Sequence, residues 1–210
     1  SIGLDTIETQ YGKRENLLGG SATYATIASG IFSPAVPVGI VGDDFPKDGY
    51  DIFSRFSKNI NNIKIEKGAT FRWGGKYHEN GDDRDTLFTD LGVFENFDPI
   101  INEKDVNVSW VFLANIHPVL QMNVLEQCSK NPFIIADTMN LWINTTPNEL
   151  RSLINNTNIL LINESEIIEL TKLNELKKAA HMVMSMGPEK IIVKQGSKGA
   201  RCFSKDDELS

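Results

Sequence analysis

The chain has 210 residues, of which 40% are hydrophobic and 23% charged, an ordinary composition for a globular protein with a substantial core. A net charge of −7 without any Lys/Arg-rich run argues against nucleic acid or an anionic membrane as a partner. No apolar run approaches the roughly 20 residues that a membrane helix needs. Cys128 and Cys202 have neither metal-ligand nor redox spacing, so we expect two unpaired buried thiols and a reducing, cytoplasmic location.

The first part of the chain is organised around a glycine pair, Gly19-Gly20. Strands are expected at residues 2–4 and 38–41, a short extended piece at 6–9, and a helix at 22–32. Ser21 is the candidate N-cap of that helix. Its expected apolar face consists of Tyr24, Ile27, Ala28 and Ile31. The glycine pair is either a simple tight turn or a place where a ligand approaches the backbone.

A hairpin follows further along the chain. Residues 70–78 and 86–94 are rich in β-formers and are separated by a polar tip, which predicts two antiparallel strands projecting from the main body. The pattern alone does not distinguish a functional lid from a surface hairpin without a role.

The second half alternates between short apolar runs and helical patterns. Strands are expected at residues 110–114, 133–136, 159–162, 191–193 and 200–203. Helices are expected to begin at Pro118 and Pro147 and to cover residues 164–170 and 176–186. Continuous apolar strands that alternate with helices predict an α/β fold with a mainly parallel sheet covered by helices on both faces.

Polar residues follow several of these strands, at the sheet edge where ligands bind in open α/β folds. They are Asp5, Asp44, Asn115, Asp137, Asn163 and Lys194. Any one of them has an ordinary explanation, because the chain reaches water at a strand end. As a set they outline a cleft.

The block around the glycine pair resembles the sugar-binding signature of the PfkB, or ribokinase-like, carbohydrate kinases. The matching residues are Gly19, Gly20, Ala25, Ala28, Gly39, Val41, Gly42 and Asp44. Two positions depart from the signature: Tyr24 stands where the family usually has a sugar-contacting Asn, and Pro46 stands near a usual Gly. The resemblance implies a three-layer ribokinase-like α/β fold with a small β lid. We expect one incomplete domain over residues 1–210, with the lid formed by residues 68–97 and 6–18.

The motif Asn163-Glu-Ser-Glu166 directly follows an expected strand. By itself it predicts a helix cap, with Glu166 suited to the helix dipole. The resemblance implies instead that Asn163 and Glu166 help to hold Mg²⁺ beside ATP, with Glu166 as the metal-associated carboxylate. The segment 191–200 resembles the nucleotide-contacting part of the family, which implies that Lys194, Gly196 and Gly199 contact ATP. A turn and a solvated lysine are the plain alternatives.

The remaining substrate residues are also implied by the resemblance. Asp5 matches the sugar-binding Asp of the family, and a carboxylate there can accept hydrogen bonds from two neighbouring hydroxyls. Arg72, on the presumed lid, would contact an acidic sugar or a phosphate, or would form a cross-strand pair with one of the nearby Asp residues. Gly19, Gly20, Tyr24, Asn115 and Asn140 complete the expected sugar pocket.

The implied activity is transfer of the γ-phosphoryl group of ATP to a hydroxyl of a sugar or sugar-like alcohol, with Mg²⁺. The family takes its catalytic base from a Gly-Ala-Gly-Asp segment, which these 210 residues do not contain, so no catalytic residue is assigned. We expect this chain by itself to be inactive and the intact kinase to form a homodimer through the lid. The alternative is a non-catalytic ligand-binding or regulatory protein on the same fold, which the Tyr24 departure keeps open. No GxxxxGK[ST] or GxGxxG occurs, which disfavours a P-loop or dinucleotide enzyme.

Overall fold

The computed structural model describes residues 1–79, 81, 84–205 and 208–209. The chain divides into two compact units, Ser1–Asp105 and Val106–Ser210. Asn80, Asp82 and Asp83, in the polar tip of the expected hairpin, lie outside the described residues.

The first unit is built on a mixed four-stranded sheet. Its elements are β1 (Gly3–Thr9), β2 (Gly12–Gly19), α1 (Ser21–Gly30), β3 (Gly39–Gly42), α2 (Lys47–Phe56), β4 (Ile63–Glu66), β5 (Arg72–Tyr77), β6 (Arg84–Asp90) and a 3₁₀ turn, Gly92–Asn96. The sheet order is β2-β1-β5-β6, with β1 and β5 parallel and the outer pairs antiparallel. β3 and β4 form a separate parallel pair. A small core of Ile2, Leu4, Val41, Phe45, Phe53 and Ile63 holds these elements together.

The first strand is longer than the sequence predicts. Residues 2–4 and 6–9 were expected as separate pieces, but β1 is continuous because residues 4–8 pair in unbroken parallel register with β5. The polar residue Asp5 therefore lies within the strand rather than at its end.

The N-terminus and the buried face of α1 both differ from the prediction. Gly20, at φ 90°, occupies the N-cap position, and Ser21 is the first helical residue. The expected apolar face is wrong: Tyr24 is 60% exposed, whereas Thr23 and Thr26 are buried. These threonines can be buried because each hydroxyl donates to a carbonyl four residues earlier, at 2.7 Å.

The second unit is an α/β layer structure. Its elements are β7 (Trp110–Leu113), α3 (Pro118–Glu126), β8 (Phe133–Asp137), α4 (Asn140–Thr145), α5 (Pro147–Asn155), β9 (Ile159–Asn163), α6 (Glu164–Thr171), α7 (Leu176–Met184), β10 (Lys190–Lys194), a 3₁₀ turn (Gly196–Lys198), β11 (Ala200–Ser204) and β12 (Glu208–Leu209). Six strands form one sheet in the order β12-β11-β10-β9-β8-β7. β7 to β10 are parallel, as predicted, while β11 and β12 are antiparallel additions.

A large apolar core holds the second unit together. It joins the inner strand residues to α5, α6 and α7, and its fully buried members include Leu150, Leu160, Ile162, Ile167 and Ile191. The strand predictions succeed for β8 and β9 because strands covered on both faces appear in a sequence as continuous apolar runs, whereas β7 is apolar although Trp110 and Phe112 are exposed. Cys128 and Cys202 are free, partly buried thiols. Within the described residues, every helix is too short or too polar to cross a bilayer.

Candidate functional site

The first feature of the candidate site is the contact between Asp5 and Gly19 in the first unit. β1 and β2 are antiparallel, and their register brings the Asp5 side chain over the Gly19 backbone. A Cβ added at Gly19 would lie 2.1 Å from Asp5 Oδ2, so a larger residue there would displace the carboxylate from its position over the backbone. Burial raises the pKa of Asp5 to about 6. A carboxylate held this way is poorly hydrated and would gain from hydroxyl donors.

One face of the four-stranded sheet surrounds Asp5. Trp73 lies beside Asp5 in the parallel register of β1 and β5, and Ile7 lies beside Gly75. Side chains alternate along a strand, so Asp5, Ile7, Trp73 and Tyr77 share this face, which we call the Asp5 face. The indole of Trp73 leans over Gly75, where an added Cβ would lie 2.1 Å from the ring.

Gly20 and Tyr24 continue the site into α1. The positive φ of Gly20 turns the chain into the helix, and its carbonyl accepts hydrogen bonds from the amides of Thr23 and Tyr24, at 3.1 and 3.3 Å. Burial raises the pKa of the Tyr24 phenol, and the neighbouring Asp5 and Tyr77 act in the same direction. The phenol of Tyr24 therefore lies in the electrostatic environment of Asp5.

Arg72 is engaged in an ion pair. It lies beside Leu4 in the sheet register, on the face opposite to Asp5. Its Nη2 donates to Asp44 Oδ2 at 2.8 Å, and Nη1 donates to the side-chain oxygen of Asn16. Arg72 thus pairs with an Asp, but the partner is Asp44 of the glycine signature, which follows β3, and not an Asp on a neighbouring strand of the hairpin.

Thr70 completes a hydrogen-bond network around Asp44, one of the residues that match the family signature. Asp44 Oδ1 accepts hydrogen bonds from the Thr70 amide and hydroxyl, at 2.7 and 2.6 Å. Partial burial acts to raise the pKa of Asp44, but the bonds from Thr70 and Arg72 outweigh it, so this pKa lies below its usual value. A Cβ at Gly42 would meet the Gly68 carbonyl at 2.0 Å, so this signature glycine permits a close approach of two backbone segments.

In the second unit, Asn163 and Glu166 form a reciprocal capping box at the start of α6. Asn163 Oδ1 accepts a hydrogen bond from the Glu166 amide at 2.8 Å, and Glu166 Oε2 accepts one from the Asn163 amide at 2.9 Å. Glu166 is only 7% exposed. The capping role predicted from the sequence is confirmed. It fixes both side chains at the carboxyl end of β9.

Lys194 lies at the same sheet edge. It ends β10, lies beside Asn163 in the parallel register, and donates to Asp137 Oδ1 at 2.6 Å. Gly196 and Gly199, with φ of 57° and 87°, form the turn from β10 into β11. The structure thus brings the predicted nucleotide set together: Asn163, Glu166, Lys194, Gly196 and Gly199 follow two adjacent strands.

Asn115 and Asn140 also lie in the second unit, whereas the other predicted substrate residues lie in the first. Asn115 follows β7 and accepts a hydrogen bond from the Trp142 indole at 2.9 Å. Asn140 is exposed and begins α4, a helix that the sequence did not predict. Trp142 also packs on the core of the second unit.

The residues near Glu166 are compatible with one style of magnesium site. Mg²⁺ commonly takes one or two protein carboxylates and completes its shell with waters and substrate phosphates. Among the described residues, no three His, Cys, Asp or Glu side chains cluster as metal ligands would. The donor set therefore suits an ion held mainly by nucleotide phosphates and water, not an all-protein cage.

Sequence reasoning missed Gln121 and Thr70. Gln121 is 1% exposed, and its Nε2 donates to the carbonyls of Leu113, Ala114 and Asp137, joining the ends of β7 and β8. A glutamine in a helical pattern gives no signal of such a role. From the sequence alone, Thr70 is predicted only to be a β-former. A polar residue beside apolar strands gives only a weak signal that its hydroxyl forms a buried hydrogen bond.

Comparison with known proteins identifies the family. The model of the pfkB family carbohydrate kinases matches residues 8–210. A cytidine kinase of Thermococcus kodakarensis is 26% identical over 214 residues, covering 96% of this chain and 73% of that protein. Two solved structures share the fold over the whole chain and 75% of their own length. A putative ribokinase II from E. coli in complex with ATP and Mg²⁺ has 17% identity and a TM-score of 0.79. A ribokinase of Arabidopsis thaliana complexed with ribose and ATP has 20% identity and a TM-score of 0.74.

The expected ribokinase-like α/β fold is therefore confirmed. Since the family match extends over nearly the entire sequence, this chain belongs to the pfkB family of carbohydrate kinases.

Proposed function

We propose that the protein transfers the γ-phosphoryl group of ATP to a hydroxyl of a sugar or a sugar-like alcohol, ribosides included. The observation that carries this is the Asp5 carboxylate over the bare backbone of Gly19. Such a group gains most from two adjacent hydroxyl donors, the arrangement that a polyol presents. The cytidine kinase relative supports the inclusion of ribosides.

The substrate would lie against Asp5, Gly19, Gly20 and Tyr24 of the first unit, whereas Arg72 lies on the opposite face of the sheet, where it pairs with Asp44. The charge of Arg72 is compensated by Asp44 at 2.8 Å, which favours a neutral polyol over an acidic sugar. Asp5 would orient the accepting alcohol by holding its neighbouring hydroxyls. In the transfer, the substrate oxygen forms a bond to the γ-phosphorus, the bond to the leaving ADP oxygen breaks, and the hydroxyl proton passes to a base.

The nucleotide would lie at the carboxyl ends of β9 and β10. Lys194 can reach a phosphate by leaving Asp137, and the turn at Gly196 and Gly199 leaves space for close approach, since an added Cβ at Gly199 would meet nothing within 4 Å. Bound Mg²⁺ would neutralise charge on the phosphates. Asn163 and Glu166 are the residues that would hold its water shell, positioned by their capping box.

The catalytic base is not among these residues. The family's Gly-Ala-Gly-Asp segment is absent from the 210 residues, so we propose that this chain alone does not turn over substrate. The protein expressed from its full reading frame is the form in which activity is expected.

The test is ADP release by the full reading frame against ribose, fructose, cytidine and inosine, with Asp5→Asn as the variant. We expect the wild type to release ADP in the presence of a sugar or a riboside. The rate should fall at least about 100-fold in Asp5→Asn, because the variant loses a charge-assisted hydrogen bond at a desolvated site. Glu8→Gln, on the same strand but the opposite face, is the matched control and should retain activity. Binding of a polyol without ADP release would favour the non-catalytic alternative, and turnover by the 210 residues alone would refute their inactivity.

We also propose a homodimer through the lid. All residues of β6 are exposed, including Leu87 and Phe88 at 48% and 42%, and an edge strand of this kind offers unpaired backbone groups. Light scattering on the wild type and on Phe88→Asp should give a dimer and a monomer, respectively. A wild-type monomer at high concentration would contradict the proposal.

A further inference from the structure

We propose that Gln195 and Glu164 are positioning residues for the nucleotide, because their side-chain hydrogen bond fixes the turn at residues 196–199 relative to the cap of α6. The inference rests on the proposed function, from which it takes the position of ATP at this edge of the sheet. It adds two residues that act through the turn and the cap and do not touch the nucleotide themselves.

The bond joins the two chain segments just beyond the end of the sheet. Asn163 and Lys194 are the last register pair between β9 and β10, so Glu164 and Gln195 are the first residues beyond it. From there one segment enters α6 and the other enters the 3₁₀ turn. Gln195 Nε2 donates to Glu164 Oε2 at 2.9 Å, and both residues are partly buried. One side-chain bond therefore joins the two segments where the backbone ladder between the strands stops.

The turn that follows Gln195 gains from an anchor of this kind. Residues 196–200 are all exposed, and Gly196 and Gly199 have φ of 57° and 87°. Glycine loses more conformational freedom on ordering than other residues, so a turn that became ordered only on binding would reduce the affinity for its ligand. The Gln195 amide closes the turn by donating to the Gly199 carbonyl at 2.8 Å. The Gln195 side chain then ties the closed turn to α6.

In the sequence, Glu164 lies between the two residues that would hold the magnesium water shell. Asn163 is the N-cap of α6 and Glu166 completes the capping box, so Glu164 belongs to the same first helical turn. The capping box thereby fixes the backbone of Glu164 as well. Because the acceptor is a carboxylate, the bond from Gln195 is charge-assisted and stronger than a bond between neutral groups. The turn and the cap are thus held in one arrangement before the nucleotide arrives.

A bond of the same type at the opposite end of the two strands provides a control. Asn158 Nδ2 donates to Glu189 Oε1 at 3.1 Å, and these residues directly precede β9 and β10. In both pairs a side-chain amide meets a carboxylate 31 residues away in the sequence. Of the two, the Gln195 pair lies at the carboxyl ends of the strands, where ligands bind in open α/β sheets.

The experiment is calorimetric binding of ADP with Mg²⁺ to the protein expressed from its full reading frame. Gln195→Ala should weaken binding about 3- to 10-fold, the loss expected for one side-chain hydrogen bond. Gln195→Glu should weaken it at least as much, since two carboxylates would then face each other. The double variant Gln195→Glu/Glu164→Gln exchanges donor and acceptor at unchanged net charge and should recover most of the affinity. Glu189→Ala removes the control bond and should leave the affinity unchanged.

Two further measurements distinguish positioning from a general effect on stability. Without nucleotide, hydrogen exchange of residues 195–200 should be faster in Gln195→Ala than in the wild type and in Glu189→Ala. In turnover assays the loss should appear in the KM for ATP and not in the KM for the sugar.

The outcomes separate this inference from the proposed function. A Gln195→Ala protein that binds ADP as tightly as the wild type, or a double variant that binds no better than Gln195→Glu, would overturn the inference, while sugar-dependent ADP release would leave the kinase proposal standing. ADP binding that depends on Gln195, without ADP release on any sugar or riboside, would contradict the kinase proposal alone. If the wild type does not bind ADP, both proposals fail.

Discussion

Replacing Asp5 by Asn should stabilise the first unit at neutral pH while it removes sugar binding. Burial raises the Asp5 pKa from 3.8 to about 6, so the folded protein holds this proton more tightly than the unfolded chain does. As pH rises from about 4 to about 6, ionisation of Asp5 therefore lowers the free energy of unfolding. Asparagine has nearly the same shape and does not ionise.

A rise of the Asp5 pKa from 3.8 to about 6 corresponds to about 3 kcal/mol at most. Asp5 is only partly buried, and screening by water reduces the expected gain to about 1–2 kcal/mol. The free energy of unfolding of Asp5→Asn should equal that of the wild type around pH 4. It should exceed the wild-type value by a growing amount between about pH 4 and pH 6, and the difference should level off above about pH 6.

Urea unfolding of both proteins across that pH range measures the difference, and Trp73, beside Asp5 in the sheet, reports on the first unit. Glu8→Gln serves as the control: hydrogen bonding to Lys76 lowers the pKa of Glu8, so this variant should not gain stability with rising pH. A difference that does not vary with pH, or an Asp5→Asn protein less stable than the wild type at pH 8, would refute the reasoning.

Three further predictions concern the glycine signature and the cap. Gly19→Ala should lower the free energy of unfolding by about 1–3 kcal/mol, because the added Cβ would lie 2.1 Å from Asp5 Oδ2. Urea unfolding should show a smaller loss when the same change is made in an Asp5→Ala protein. If the losses from the two changes simply add, the contact between these residues is contradicted. Asn163→Ala should lower the free energy of unfolding by about 1 kcal/mol, because it removes the cap of α6. Asn163→Asp, which keeps an acceptor, is the control. Equal melting temperatures for the wild type and both variants would argue against the capping box. Tyr24→Asn, which introduces the residue usual in the family, should increase the affinity for free ribose in calorimetry, and unchanged or weaker ribose binding would remove Tyr24 from the substrate site.

Local patterns in the sequence account for much of the second unit and for the cap. The strands β8 and β9 are continuous apolar runs whose residues are all buried or partly buried, and this pattern is visible without any knowledge of partners, although the same kind of run in β7 leaves Trp110 and Phe112 exposed. The cap of α6 is equally local, since its two hydrogen bonds join residues three positions apart. The resemblance to the kinase family also depends on short motifs with fixed spacing.

α1 marks the point at which local patterns fail. Its apolar residues suggested one buried face, yet Thr23 and Thr26 are buried in their place. Hydrophobic periodicity counts a threonine as polar, but a hydroxyl that bonds to its own helix can be buried at little cost. Which face is covered then depends on the neighbouring elements.

The amino-acid sequence by itself determined the fold class, the family and the residue types available for a sugar and a nucleotide. Only the tertiary structure decided which of these side chains meet: Asp5 over Gly19, Arg72 with Asp44 across 28 residues of sequence, and Lys194 with Asp137 across 57. Secondary structure follows from interactions within a few residues, which leave a periodic trace in the sequence. Contacts between distant residues depend on strand order and register, which the packing of the whole unit fixes and no local pattern records.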